Sequence, residues 1–170
     1  LGITGTVGRG GLAAARLAAG GPGARRALVE MLDVRPRVRE GVALAPLAHA
    51  MIDTSDGVGD ASRLMAEASR ARLVVEEELL PLARGTPLAA RNTRERRAIA
   101  FYGGDYELLA AVPRNRWALA QRLVRRSGGR LTLVGRVERG RGAWLQVRGK
   151  DSPMPEAGWQ PFGALVSSTR

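Results

Sequence analysis

The residues best suited to chemistry stand in one short segment, in which two aspartates and a serine follow an apolar stretch: Met51-Ile52-Asp53-Thr54-Ser55-Asp56-Gly57. Around a turn, Asp53 and Asp56 can converge, whereas on a continued strand they would point to opposite faces. Converging carboxylates repel unless a cation lies between them, and Mg²⁺ binds one or two carboxylates together with water and phosphate. The segment therefore predicts a magnesium site at Asp53 and Asp56, with Ser55 and helix-start amides donating to a phosphate.

The same segment has a plainer interpretation. Thr, Ser and Asp before an amphipathic helix are common N-cap residues, which satisfy the unpaired amides of the first turn. Spacing alone favours capping, because short motifs match by chance often. The two roles are compatible, since one residue can cap the helix while its neighbours bind metal.

Two further segments could bind a small molecule. Paired glycines precede Asp105 in the segment Tyr102–Leu109, and such glycines bring backbone close to a ligand or simply form a tight turn. Near the end of the chain, Trp159 and Phe162 could stack on a heteroaromatic ring or cap the core. The only histidine, His49, is interpreted as a packed or solvated side chain rather than a ligand.

Composition excludes several kinds of protein. The 170 residues suffice for one domain with a real core, and no apolar run reaches membrane-spanning length. The lack of cysteine excludes disulfides and thiolate metal sites and fits a reducing cytoplasm, while one histidine excludes a multi-histidine site. The net charge of +11 raises nucleic-acid binding as an alternative, but the arginines are scattered among acids with few aromatics nearby, which disfavours it.

The segments that must position these residues alternate between helix and strand. Apolar residues recur at helical spacing between Val58 and Ala68, while Ala50–Ile52 and Leu73–Val75 are strand-like. This pattern predicts an α/β (α+β) chain with a mixed β-sheet flanked by helices. Further helices are expected at 12–19, 24–32, 42–49, 93–101 and 117–125, a strand at 106–112, and a hairpin of strands 131–137 and 143–147.

Taken in order, these motifs resemble those of the thiamine-monophosphate kinases, a branch of the aminoimidazole-ribonucleotide-synthetase-like superfamily. The matching segments are Ile3–Gly8 (ITGTVG), Arg35–Val38 with Glu40-Gly41, Met51–Gly57, Leu80–Leu82, Gly103–Leu109 and Gly158–Phe162. The segments Met51–Gly57 and Gly103–Leu109, found in this order, are the most specific of them. The resemblance implies the C-terminal domain of that superfamily.

The resemblance also implies a chemistry, which is transfer of the γ-phosphate of ATP to thiamine monophosphate. Asp53 and Asp56 would hold Mg²⁺ and Ser55 would contact the nucleotide phosphates, with no catalytic nucleophile from the protein. Asp105, Trp159 and Phe162 would lie near the thiamine substrate. The chain departs from the family where Gly104 replaces an acidic residue, and where Gln160-Pro161 replaces an Asp-His pair.

By the same resemblance, residues 1–170 are the C-terminal domain alone. In that family an N-terminal domain carries further aspartates, much of the ATP pocket and the homodimer interface, and we expect that domain to lie outside these residues. The chain alone is therefore expected not to convert the substrate. Two alternatives stay open. One is another superfamily member that uses ATP and Mg²⁺ on a different acceptor, and the other is a non-catalytic basic domain that binds nucleic acid.

Overall fold

The computed structural model of the protein describes residues 1–86 and 92–156. The helices within these residues are α1 (Arg9–Ala19), α2 (Ala24–Leu32), α3 (Val38–Leu44), α4 (Val58–Ser69), α5 (Thr93–Phe101) and α6 (Trp117–Arg126). The strands are β1 (Gly2–Thr4), β2 (Ala50–Asp53), β3 (Arg72–Glu76), β4 (Leu108–Ala111), β5 (Leu131–Leu133), β6 (Gly135–Glu138), β7 (Gly142–Val147) and β8 (Lys150–Pro153). None of the described helices is long and apolar enough to span a membrane.

The strands form two four-stranded sheets. The first sheet has the order β2-β4-β1-β5 and all of its pairs are antiparallel. The second sheet has the order β6-β3-β7-β8 and is mixed, because β3 runs parallel to β7 and antiparallel to β6. The prediction of an α/β chain with a mixed sheet flanked by helices is therefore confirmed, with the strands divided between two sheets.

The main core joins both sheets to one helix. Ile3 and Leu109 of the first sheet are buried together with Leu73 and Leu145 of the second, and α4 contributes the buried Met65 to the same cluster. Helix α4 buries this face because its apolar residues recur at three- and four-residue intervals. The opposite face of the first sheet is covered by α3 and α6, which bury Leu44, Ala120 and Val124 against Ala110 and Leu131.

The predicted hairpin of residues 131–137 and 143–147 is wrong. Strands β6 and β7 do not pair with each other, because β3 lies between them and pairs with both. The first predicted strand also divides in two, with Leu131–Leu133 in the first sheet and Gly135–Glu138 in the second. The antiparallel partner of β7 is β8.

The helix predicted at 42–49 is also displaced. Helix α3 spans Val38–Leu44, so it begins directly after the Arg35–Arg37 connector and ends before the predicted segment does. Pro36 explains this start, since proline biases the preceding residue away from helix but leaves the residues after it free to enter one. The early start turns Glu40 into the protein, where it is buried.

We expect Leu145→Ala to lower the free energy of unfolding by about 2–5 kcal/mol, because Leu145 is 2% exposed in the main core and truncation leaves a cavity. Leu133→Ala is the matched control, since this strand leucine is 49% exposed and its loss should cost under about 1 kcal/mol. Urea unfolding of both variants measures the difference. Equal losses would contradict the assignment of the core to the space between the sheets.

Candidate functional site

Three loops meet at one edge of the first sheet. Strand β4 is antiparallel to both of its neighbours, so its amino end lies beside the carboxyl ends of β1 and β2. The loop 5–8 follows β1, the loop 54–57 follows β2, and the loop 102–107 precedes β4. The topology therefore brings the predicted aspartate segment and the predicted glycine segment together.

Asp53 is the last residue of β2 and its carboxylate is fixed by the loop that follows. The backbone N–H of Ser55 donates to Asp53 Oδ1 at 2.9 Å. Hydrogen bonds from the Ser55 side chain and from this backbone N–H lower the pKa of Asp53. Because the side chain is exposed as well as charged, Asp53 presents an anion at the sheet edge.

Asp56 is also exposed, and the start of α4 follows immediately. Gly57 occupies the N-cap position of α4, and no side chain in the described part of the chain caps the helix. The alternative that Thr54, Ser55 or Asp56 serves as the helix cap is therefore wrong. This leaves the serine and the aspartates of the segment without the structural role that spacing alone favoured.

The donor set fits a hard divalent cation. Within residues 1–86 and 92–156, neither Asp53 nor Asp56 forms a salt bridge with an arginine, so both carboxylates are open to an ion. No group of three or more histidine, aspartate or glutamate side chains in the described part of the chain could hold a metal ion. Two carboxylates with water and phosphate are an ordinary ligand set for Mg²⁺.

Thr54 joins the aspartate segment to the neighbouring strand. Its backbone N–H donates to the Glu107 carbonyl at 2.8 Å, and its hydroxyl oxygen accepts from the Glu107 N–H at 3.1 Å. The side chain is fully buried. Thr54 thus fixes the position of Asp53 and Ser55 relative to the neighbouring strand.

Asp105 is turned into the protein instead of toward the sheet edge. Its two carboxylate oxygens accept from the backbone N–H groups of Gly8 at 2.7 Å and Gly10 at 3.0 Å, at the start of α1. Burial raises the pKa of Asp105 to about 6, and hydrogen bonds from Gly10, Gly8 and Arg9 oppose that rise. The carboxylate therefore caps α1 and ties the glycine segment to the loop after β1.

Glu107 is a buried acid that sequence reasoning did not single out. It accepts from Arg37 Nε at 2.7 Å and from Arg37 Nη2 at 2.6 Å, a bidentate pair, and from the Thr4 hydroxyl at 2.7 Å. The pKa of Arg37 is raised, chiefly by its hydrogen bond to Glu107. A glutamate at the start of an apolar strand was the available signal, since such a buried charge requires a partner.

Glycines allow the three loops to approach backbone to backbone. A Cβ on Gly10 would lie 2.1 Å from the Gly103 carbonyl oxygen, and a Cβ on Gly103 would lie 2.6 Å from the Ser55 carbonyl oxygen. The Gly104 N–H donates to that same Ser55 oxygen at 2.7 Å. The glycine pair before Asp105 therefore packs directly against the aspartate segment.

Other predicted residues lie elsewhere. Trp159 and Phe162 fall outside the described residues. A cavity of about 1050 Å³ opens at the opposite end of the first sheet, where His49 and Trp117 help to line it. None of the predicted site residues lines that cavity, so its position offers no support for their roles.

The fold is shared with enzymes of known structure. An Escherichia coli hydrogenase maturation protein, HypE, superimposes with a TM-score of 0.65 at 20% identity and shows the same fold over 95% of this chain. The crystal structure of thiamine-monophosphate kinase from Stenotrophomonas maltophilia is more similar in sequence, with 25% identity and a TM-score of 0.73. The match covers 89% of this chain and 50% of that one. A structure described as AaThiL complexed with AMPPCP and TMP gives a TM-score of 0.70 and 27% identity over 95% of this chain and 50% of that one.

Sequence comparison gives the particular relatives. The chain is 36% identical over 135 residues to thiamine-monophosphate kinase of Halobacterium salinarum, covering 79% of this chain and 44% of that protein. It is 32% identical over 127 residues to the Pyrococcus abyssi enzyme of the same name, covering 74% and 38%. No family model matches the chain. The predicted resemblance to the thiamine-monophosphate kinases is confirmed, and the chain spans about half the length of these relatives or less.

Asp105 should make stability depend on pH. Its pKa is about 6 in the folded protein and 3.8 in the reference state, so the folded form binds the proton more tightly and gains stability as pH falls. We expect the unfolding free energy of the wild type, relative to Asp105→Asn, to fall by up to about 3 kcal/mol as pH rises from about 4 to about 6. Urea unfolding across that range measures it, and a constant difference would show that the carboxylate does not titrate there.

Proposed function

We propose that this chain supplies the C-terminal part of the site at which an ATP-dependent kinase phosphorylates thiamine monophosphate to thiamine diphosphate. Asp53 and Asp56 hold Mg²⁺, and Ser55 contacts the nucleotide phosphates. The observation that carries the proposal is the pair of exposed carboxylates at the sheet edge, one with a lowered pKa, directly before an α4 start that no side chain caps. The likeness to a structure described as complexed with AMPPCP and TMP supports the choice of ligands.

Mg²⁺ in such a site supplies positive charge that neutralises the transferring phosphoryl group. The residues of this chain bind and orient. Asp53 is held ionised by Ser55, so it offers a fixed anionic ligand at neutral pH. The first amides of α4 lie next to Asp56, where the positive end of the helix dipole favours a phosphate oxygen.

On this proposal the acceptor lies beside the glycine segment. Asp105, Trp159 and Phe162 are the proposed substrate-binding residues. The Asp105 carboxylate is hydrogen bonded to the start of α1, so it acts first by holding the loop 102–107 in place. Gly104 leaves the loop without a side chain at the position directly before Asp105.

The remaining parts of the site come from outside these residues. We propose that an N-terminal domain adds further aspartates and much of the ATP pocket, and that the complete protein is a homodimer. Two carboxylates leave most positions of a magnesium octahedron to other ligands. The partial coverage of the relatives agrees with such a division.

Asp53→Asn and Asp56→Asn should each weaken Mg²⁺-dependent binding of AMPPCP at least about tenfold, because a carboxamide is neutral and a poor ligand for Mg²⁺. Glu67→Gln is the matched control, since Glu67 is an exposed acid on α4 away from its first turn. Isothermal titration calorimetry with and without Mg²⁺ measures the change. Wild-type binding in both aspartate variants would refute the proposed metal site.

The 170-residue chain alone should form no detectable thiamine diphosphate from ATP and thiamine monophosphate, because the other half of the site is missing. Chromatographic detection of thiamine diphosphate is the measurement, and product above the background of Asp53→Asn would contradict the expectation. With an N-terminal domain restored, a panel of phosphate acceptors tests the substrate. Preference for a different acceptor would favour another member of the superfamily.

A further inference from the structure

Arg37, in the connector before α3, is hydrogen bonded to Glu107, a buried acid directly before β4. Arg37 and Glu107 stand 70 residues apart and form a bidentate pair, with the Glu107 side chain only 4% exposed. Arg37 Nη1 also reaches Glu40 Oε1 at 3.3 Å, and Glu40 is itself buried. A single guanidinium therefore pairs with two buried carboxylates, and its five N–H groups in a planar fork suit this task.

Glu107 is hydrogen bonded directly to the aspartate segment. Its backbone N–H and carbonyl form two hydrogen bonds with Thr54, the residue between Asp53 and Ser55. Its carboxylate lies over Gly5, where a Cβ would approach Glu107 Oε1 to 2.0 Å. The lack of a side chain at Gly5 therefore leaves room for the Glu107 carboxylate beside the β1 loop, while the Glu107 backbone is bonded directly to Thr54.

We propose that Arg37 is a positioning residue of the magnesium–phosphate site, acting through Glu107 and Thr54 to set where Asp53 and Ser55 leave β2. This inference rests on the proposed function, because it assumes that Asp53 binds the metal. Among the described residues, the hydrogen bonds and salt bridges of Arg37 go to Glu107 and Glu40 and not to Asp53 or Ser55, so its proposed contribution is to geometry. Outer residues that orient a metal ligand commonly change metal affinity about 10–100-fold when they are removed.

The chain offers a matched control. Arg97 donates two hydrogen bonds of 2.8 Å each to Glu77, whose side chain is 8% exposed, so this pair is also bidentate and also directed at a buried carboxylate. It joins α5 to the short 3-10 helix Glu77–Leu79, and among the described residues it forms no hydrogen bond or salt bridge with Thr54 or Glu107. Loss of either arginine should lower Tm, but only loss of Arg37 should change the site.

The experiment compares Arg37→Gln, Arg37→Lys, Arg97→Gln and Asp53→Asn in the protein with its N-terminal domain restored. Binding of AMPPCP with Mg²⁺ is measured by calorimetry, and amide hydrogen exchange at Thr54 and Glu107 is measured by NMR. We expect about tenfold weaker binding for Arg37→Gln, about threefold for Arg37→Lys and under about twofold for Arg97→Gln. The two amides should exchange faster in the Arg37 variants only.

Arg37→Lys keeps the positive charge, so it decides the outcome should Arg37→Gln fail to fold. The inference is overturned if the Arg37 variants bind as the wild type does, or if Arg97→Gln weakens binding equally. Wild-type binding by Asp53→Asn would instead overturn the proposed function, and the inference with it. Weak binding by Asp53→Asn beside normal binding by the Arg37 variants would overturn the inference alone.

Discussion

Two buried carboxylates, those of Asp105 and Glu107 on either side of Tyr106, hold the loops of the candidate site together. Each would be costly to bury alone, because an unpaired charge in a protein interior loses several kcal/mol of hydration free energy. Asp105 is compensated by the amides at the start of α1, and Glu107 by Arg37 and Thr4. These two charges require hydrogen-bond donors from other parts of the chain. That requirement brings together the loop after β1, the loop before β4 and the connector before α3.

The backbone between the two acids bears a cost for this arrangement. Tyr106 is 38% exposed and has a φ of 53°, in the left-handed backbone region that residues other than glycine rarely adopt. Such a conformation costs about 1–3 kcal/mol and persists only where the surroundings impose it. Here both neighbours of Tyr106 are fixed by hydrogen bonds, so the strain is a consequence of burying two acids within three residues.

The local signals in the sequence were sufficient for most elements. Helices α2 and α5 have the predicted bounds, and α4 follows its apolar period, because helix periodicity is read within a few turns. The pairing of β6 and β7 with β3 could not be predicted in the same way, since strands pair over long separations that no local pattern encodes. The Arg37–Glu107 pair could not be predicted for the same reason, although the segment Arg35–Val38, which contains Arg37, was recognised as a motif.

The site was predictable in part, and the part that was missed explains its geometry. Asp53, Ser55 and Asp56 could be proposed as site residues because carboxylates and a hydroxyl between a strand and a helix form a local pattern. The role of Thr54 was hidden, because its hydroxyl satisfies an amide 53 residues away. The hydrogen bond from Gly8 to Asp105 was not predicted, because it depends on β1 and β4 being neighbours in the sheet. The substrate role of Asp105 stays a prediction.

Charge pairing separates the structural acids from those proposed to bind metal. The chain has 27 Lys and Arg against 16 Asp and Glu, so cationic partners are plentiful. Glu77 and Glu107 take bidentate arginines, and Asp151 pairs with Arg72. Asp53 and Asp56 form no salt bridge within the described residues, although they lie close together in sequence. The absence of an arginine partner for these two carboxylates agrees with the proposal that they hold Mg²⁺, which prefers carboxylate, water and phosphate oxygens.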